Sequence, residues 1–130
     1  MRRLLIMLCL VLVGCGGGGG SSTPNPIAGS WSGPWSDPGK AQQGTLKITV
    51  ATDGNITGQI LNTTLASTGT ATGSIDGNGN ISTTYTYVGS APITATGTAS
   101  IASNGHLTGV VAEHQNGNLI GNATINLVKQ

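Results

Sequence analysis

Phenylalanine is absent from the 130 residues, and two tryptophans with two tyrosines make up the whole aromatic content. Charge is as scarce, at 7 % of the chain. Beyond Cys15 three lysines (Lys40, Lys47, Lys129) face four acids (Asp37, Asp53, Asp76, Glu113). No basic patch exists to neutralise phosphates, which excludes the main electrostatic requirement of nucleic-acid binding. Long apolar runs are missing too. The longest, Leu4 to Val13, is ten residues, and a helix needs roughly 20 to cross a bilayer core. Glycine, by contrast, is abundant at 22 residues. Such a composition suits disorder unless the remaining Ile, Leu and Val are patterned, and here they are.

The N-terminus carries an address. Met1-Arg2-Arg3 is a positive start, followed by the ten-residue apolar run, as in a secretory signal peptide. Leu12-Val13-Gly14-Cys15 then resembles the lipobox of bacterial lipoproteins: an aliphatic residue three before the cysteine's bond, a small residue before it, and the cysteine itself. The resemblance implies cleavage after Gly14, diacylglyceryl and palmitoyl-type acylation at Cys15, and loss of Cys9 with the signal peptide. One acyl chain binds membranes only marginally, whereas two or three on one cysteine hold firmly. Cys15 would then be the only thiol left, so no intrachain disulfide is available. Gly16 stands where an aspartate tends to retain such proteins at the inner membrane. The resemblance therefore implies the outer membrane for a Gram-negative source, with either the periplasmic or the surface face open. Residues 15–26, ending in GGGGGSSTPNP, read as a flexible tether with an r.m.s. span of about 18 Å and a limit near 40 Å. The glycine run lacks the strand, Lys-Ser/Thr and helix of a phosphate loop.

From residue 27 to 130 polar and apolar residues alternate, and turn dipeptides interrupt them at regular intervals. Thr45 to Val50 alternates, Asp53-Gly54-Asn55 turns, and Ile56 to Ile60 alternates again. Asp-Gly and Asn-Gly between alternating runs signal hairpins, because these residues tolerate positive φ. The signal recurs at Asp76-Gly77, Asn104-Gly105 and Asn116-Gly117. Eight strands are predicted, at 27–33, 44–51, 56–62, 67–75, 81–88, 93–101, 107–114 and 119–128. "TATGSIDGNGNIS" from Thr70 and "TGTASIASNGHLT" from Thr96 share a pattern at an offset of 26 residues, which fits successive hairpins of one meander. The fold class read from this is all-β: a small antiparallel up-and-down eight-stranded β-barrel, with a two-sheet β-sandwich as the alternative. Recurrent inward glycines (Gly58, Gly73, Gly97, Gly109, Gly121) suit strands that must bend.

Gly29-Ser30-Trp31, with Leu46 to Val50 and Gly54 to Gly58, also resembles the opening of calycin-type barrels, the lipocalin and avidin group. That resemblance implies a Trp31 plug at one barrel end. Avidins hold biotin with further tryptophans, and beyond Trp35 this chain has none.

Five residues are candidates for ligand binding: Trp31, Trp35, Tyr85, Tyr87 and Glu113. Trp31 has the inward parity of a core plug. Trp35, after Pro34 at the expected end of the first strand, is either a rim residue over a ligand mouth or a half-buried loop residue. Tyr85 and Tyr87 share one face and are expected in the core, with a cavity wall as the other reading. Glu113 has the parity of Leu107, Gly109 and Val111, yet a solvent-facing position near a wet strand end is expected for a lone carboxylate. His106 and His114 lie roughly 26 Å apart along one strand and cannot share an ion. No metal or other cofactor is predicted. The scarcity of catalytic residue types points away from an enzyme. What remains is an envelope-anchored binding or structural barrel. Its partners are the membrane through Cys15 and either a small apolar ligand or an envelope protein; the small inward residues (Ala71, Gly73, Ala95, Gly97, Ala99, Gly121, Ala123) either leave room for the ligand or mark a narrow, filled barrel. In the second reading a peptidase-inhibitor-like module acts through rim loops such as 34–43.

Overall fold

The computed structural model describes residues 22–130. Eight antiparallel strands follow one another in chain order and close into a barrel: β1 (Gly29–Asp37), β2 (Gln42–Val50), β3 (Asn55–Asn62), β4 (Ser67–Ile75), β5 (Asn80–Tyr87), β6 (Ile93–Ile101), β7 (Leu107–Gln115) and β8 (Asn118–Lys129). Each strand pairs with its sequence neighbour, and β8 closes on β1 through Trp31–Lys129 and Trp35–Ile125. Closure leaves no edge strand to recruit another chain. The sandwich alternative is thereby set aside.

The interior is apolar because most of the aliphatic residues on the strands turn inward. Leu46, Ile48 and Val50 of β2 meet Ile56 and Ile60 of β3, and Val111 of β7 meets Ala123 of β8 in the same core. Ala71, Ala95, Ala99 and Ala123 are all buried. Of the two readings of these small residues, the narrow, filled barrel is the one seen at these positions. Thr94, Thr96, Thr98 and Ser100 point outward and are exposed. An apolar inside with a polar outside is the reverse of a barrel that spans a membrane by its strands.

The two ends differ. At one end, the β2–β3, β4–β5 and β6–β7 hairpins share one turn design. In each, the fourth turn residue is a positive-φ glycine (Gly54, Gly79, Gly105) whose N–H donates to the carbonyl three residues back. Asp53, Asp76 and Asn104 each accept a hydrogen bond from a backbone N–H two residues on. This common design is the physical basis of the 26-residue offset in the sequence. The chain before β1 lies across the same end. Asn25 donates from its backbone to Thr52 O and from its side chain to Ile75 O, while its Oδ1 accepts from Ile27 N–H. The folded part therefore begins at Asn25, inside the segment expected to be tether. Ile27 and Trp31 are buried there, and the Trp31 indole donates to Ile27 O at 2.8 Å. Lys129 Nζ stands 5.5 Å from the Trp31 ring centroid.

At the opposite end, β1 runs four residues further than the alternation suggested. Pro34 lies within the strand, facing outward, and the β1–β8 ladder passes over it. The 34–43 rim loop shrinks to residues 38–41. The β7–β8 ladder holds a bulge: Glu113 pairs with Gly121 but His114 pairs with Leu119. Ile120 is the extra residue. The bulge inverts the parity expected for the start of β8, so Leu119 is exposed and Ile120 faces the barrel mouth.

Candidate functional site

The mouth opposite the Trp31 plug contains a cavity of about 260 Å³. Trp35, Tyr85, Tyr87 and Ile93 supply aromatic and aliphatic wall, while Lys40, Gln42, Asn62, Glu113 and Gln115 supply polar atoms. Four of the five sequence candidates thus converge here. The fifth, Trp31, sits at the closed end. Cys15 and Gly14 lie outside the described residues.

Trp35 is a buried strand residue, which corrects the loop reading, and it lines the mouth cavity from below the rim. Its ring passes over Gly44, its cross-strand partner, and its Nε1 donates to Leu61 O at 3.1 Å on the strand beyond. A Cβ at position 44 would stand 2.8 Å from that nitrogen, so the glycine makes the crossing possible.

Glu113 corrects the expectation of a solvent-facing carboxylate: it is only 4 % exposed. The inward parity prevails because a partner arrives from another part of the chain. Lys40, on the turn between β1 and β2, places Nζ 2.5 Å from Glu113 Oε2 and 3.0 Å from Asp37 Oδ2. Asp37 itself is fully buried. Its Oδ1 accepts the Lys40 backbone N–H at 3.2 Å, and its Oδ2 meets the ammonium as an ion pair outside hydrogen-bond geometry. Burial pulls the Lys40 pKa down, but the hydrogen bonds and negative charge of Glu113 and Asp37 outweigh it and hold the group above its ordinary value. Two carboxylates against one ammonium leave the mouth with an excess negative charge.

Burial raises the Tyr85 phenol, partly opposed by the nearby Thr83 hydroxyl, which approaches it without forming a well-aligned hydrogen bond. Burial also pushes Tyr87 up to about 12, with the Glu113 carboxylate adding to the effect. Both phenols are therefore neutral donors at ordinary pH. On the far side Asn62 donates to Gln42 Oε1 at 3.1 Å and accepts from Leu65 N–H at 3.0 Å, while Gln115 donates to Ala91 O at 2.8 Å. These amides pin the mouth hairpins to the wall.

Asp37, Lys40, Asn62, Gln115 and Ile120 were missed by sequence reasoning. One local signal was present for Asp37: carrying the β1 alternation from Trp31, Gly33 and Trp35 onward puts it inside. His106 and His114 remain apart, His106 Nδ1 lying 2.7 Å from Asn126 Oδ1. Among the described residues no group of three His, Cys, Asp or Glu is placed to hold a metal ion. Comparison with family models, curated proteins and solved structures yields no match.

Proposed function

We propose that this protein is a lipid-anchored lipoprotein of the bacterial cell envelope whose barrel binds a small molecule at its mouth, without catalysis. The observation that carries the binding reading is where the barrel leaves space. Aliphatic side chains fill the barrel from the plugged end, and the open volume lies where Trp35, Tyr85, Tyr87 and Glu113 converge. A volume of about 260 Å³ is just under the usual range for small-molecule sites, roughly 300–1,000 Å³. The ligand is accordingly small. Mixed walls replace the purely apolar pocket first expected.

Anchoring and binding fit together. The chain enters the barrel at its closed end, through Asn25 and Ile27. A tether from Cys15 therefore joins the barrel at its plugged end and leaves the mouth free of the chain that anchors it. Native mass spectrometry of protein purified from its own membranes tests the binding reading. A non-covalent adduct on the wild type, lost in Tyr87→Ala, is expected; no adduct on either would refute it. Palmitate labelling tests the anchor, with loss of label in Cys15→Ser expected and equal labelling overturning the assignment.

A second reading rests on the collar of the mouth. Val88 is 97 % exposed and Leu65 61 % exposed, both on mouth hairpins. A protein partner could dock there. Leu65→Ser with Val88→Ser would abolish its capture while leaving the adduct in place.

A further inference from the structure

The mouth cavity's charge identifies the kind of ligand, given the small-ligand reading above. Three ionisable groups of opposite sign meet there, Asp37, Lys40 and Glu113, and the balance is negative by one. Lys40 engages only Oε2 of Glu113. The other oxygen, Oε1, accepts no hydrogen bond from the described residues and is left open to the cavity that Glu113 lines. A carboxylate oxygen open to a narrow cavity offers a charge-assisted hydrogen bond to a donor that enters it. Trp35, Tyr85 and Tyr87 line the same cavity, and the face of an aromatic ring attracts positive charge through its quadrupole. Lys47 of β2 faces outward, and Lys129 stands over Trp31 at the far end. Among the described residues no second lysine or arginine offsets the mouth.

We propose that the cavity takes a small organic cation, a compound with an ammonium group on an aryl or short alkyl body. The ammonium donates to Glu113 Oε1, and the body packs against Trp35, Tyr87 and Ile93. An anion would meet the Glu113 carboxylate with Asp37 buried behind it, and a neutral ligand would leave the excess charge uncompensated.

Calorimetric titration of the full chain in a non-ionic detergent tests this with three probes of similar size: benzylamine, benzyl alcohol and phenylacetate. Benzylamine is expected to bind at least tenfold tighter than the other two at pH 7. Glu113→Gln is expected to remove that advantage while benzyl alcohol binds as before. Tyr87→Leu, at a half-buried wall position that the fold tolerates, is expected to weaken benzylamine about threefold, the size of one exposed cation–π contact. If benzyl alcohol binds as tightly as benzylamine, or phenylacetate more tightly, the charge inference fails and the small-ligand reading stands. If none of the three binds, the inference fails; the adduct experiment then decides the small-ligand reading separately.

Discussion

Gly121 lies where any side chain would collide with the Asp37 carboxylate. It is also the cross-strand partner of Glu113. A residue without Cβ on β8 thus makes the room in which the buried Asp37–Lys40–Glu113 cluster forms. Asp37 has no exposure through which to swing aside. Gly121→Ala is expected to cost about 2 kcal/mol, typical of overpacking. Gly77→Ala is its control, because a Cβ there meets only Pro26 at 3.9 Å. Urea denaturation of both variants measures the difference.

Removing the cation is expected to be worse than removing one anion. Lys40→Met leaves two enclosed carboxylates side by side. Glu113→Gln leaves one balanced pair of Asp37 and Lys40. Breaking a buried pair costs about 3–5 kcal/mol. Lys40 is partly exposed, so about 2–3 kcal/mol is expected for Lys40→Met and clearly less for Glu113→Gln. Thermal melts at equal protein concentration rank them, and the reverse order would contradict this charge balance.

Alkaline pH should loosen the barrel from the mouth. Tyr87 is raised from 10.0 to about 12, and Lys40 stands above 10.5. Both bind their protons more tightly in the folded state. Their contribution is complete below about pH 10 and is lost as pH climbs through the folded values. Stability measured against pH should be flat to about 10 and then fall. Tyr87→Phe should keep the part of that fall due to Lys40 and Tyr85 and lose its own, and absorbance of the ionised phenol should report Tyr87 near 12.

Two mouth turns carry alanine at positive φ, Ala41 at 52° and Ala66 at 50°. A side chain in that region costs about 1–2 kcal/mol, and the greater freedom of unfolded glycine returns part of it on substitution. Ala66→Gly is expected to stabilise by up to about 1 kcal/mol. Chemical denaturation midpoints check this.

At the closed end, Asn25→Ala removes two side-chain hydrogen bonds that hold the entering chain. A loss of about 1–2 kcal/mol is expected. Quenching of Trp31 fluorescence should rise as Ile27 loosens its cover.

Features set by neighbouring residues were legible in the sequence. Alternation and the Asp-Gly and Asn-Gly turns located the strands, and closure followed from their number and short links. Features that depend on distant partners were not. Pro34 suggested a strand end because it lacks an N–H, yet it is accommodated where the β1–β8 ladder skips a pair. Glu113 had inward parity, but burial needs a counter-charge, and Lys40 lies 73 residues away in sequence. The bulge that turns Ile120 inward leaves no mark in the alternation either, since Leu119 and Ile120 are both apolar.

An even number of strands returns the chain to the side from which it entered, and Gln130 N–H donates to Ser30 O beside the first strand. Head and tail are therefore neighbours in space. A short peptide joining Gln130 to Asn25, with new ends cut at Gly89, would give a permuted chain of the same architecture. In such a chain the order of the strands would change while every hairpin of the plugged end stayed whole.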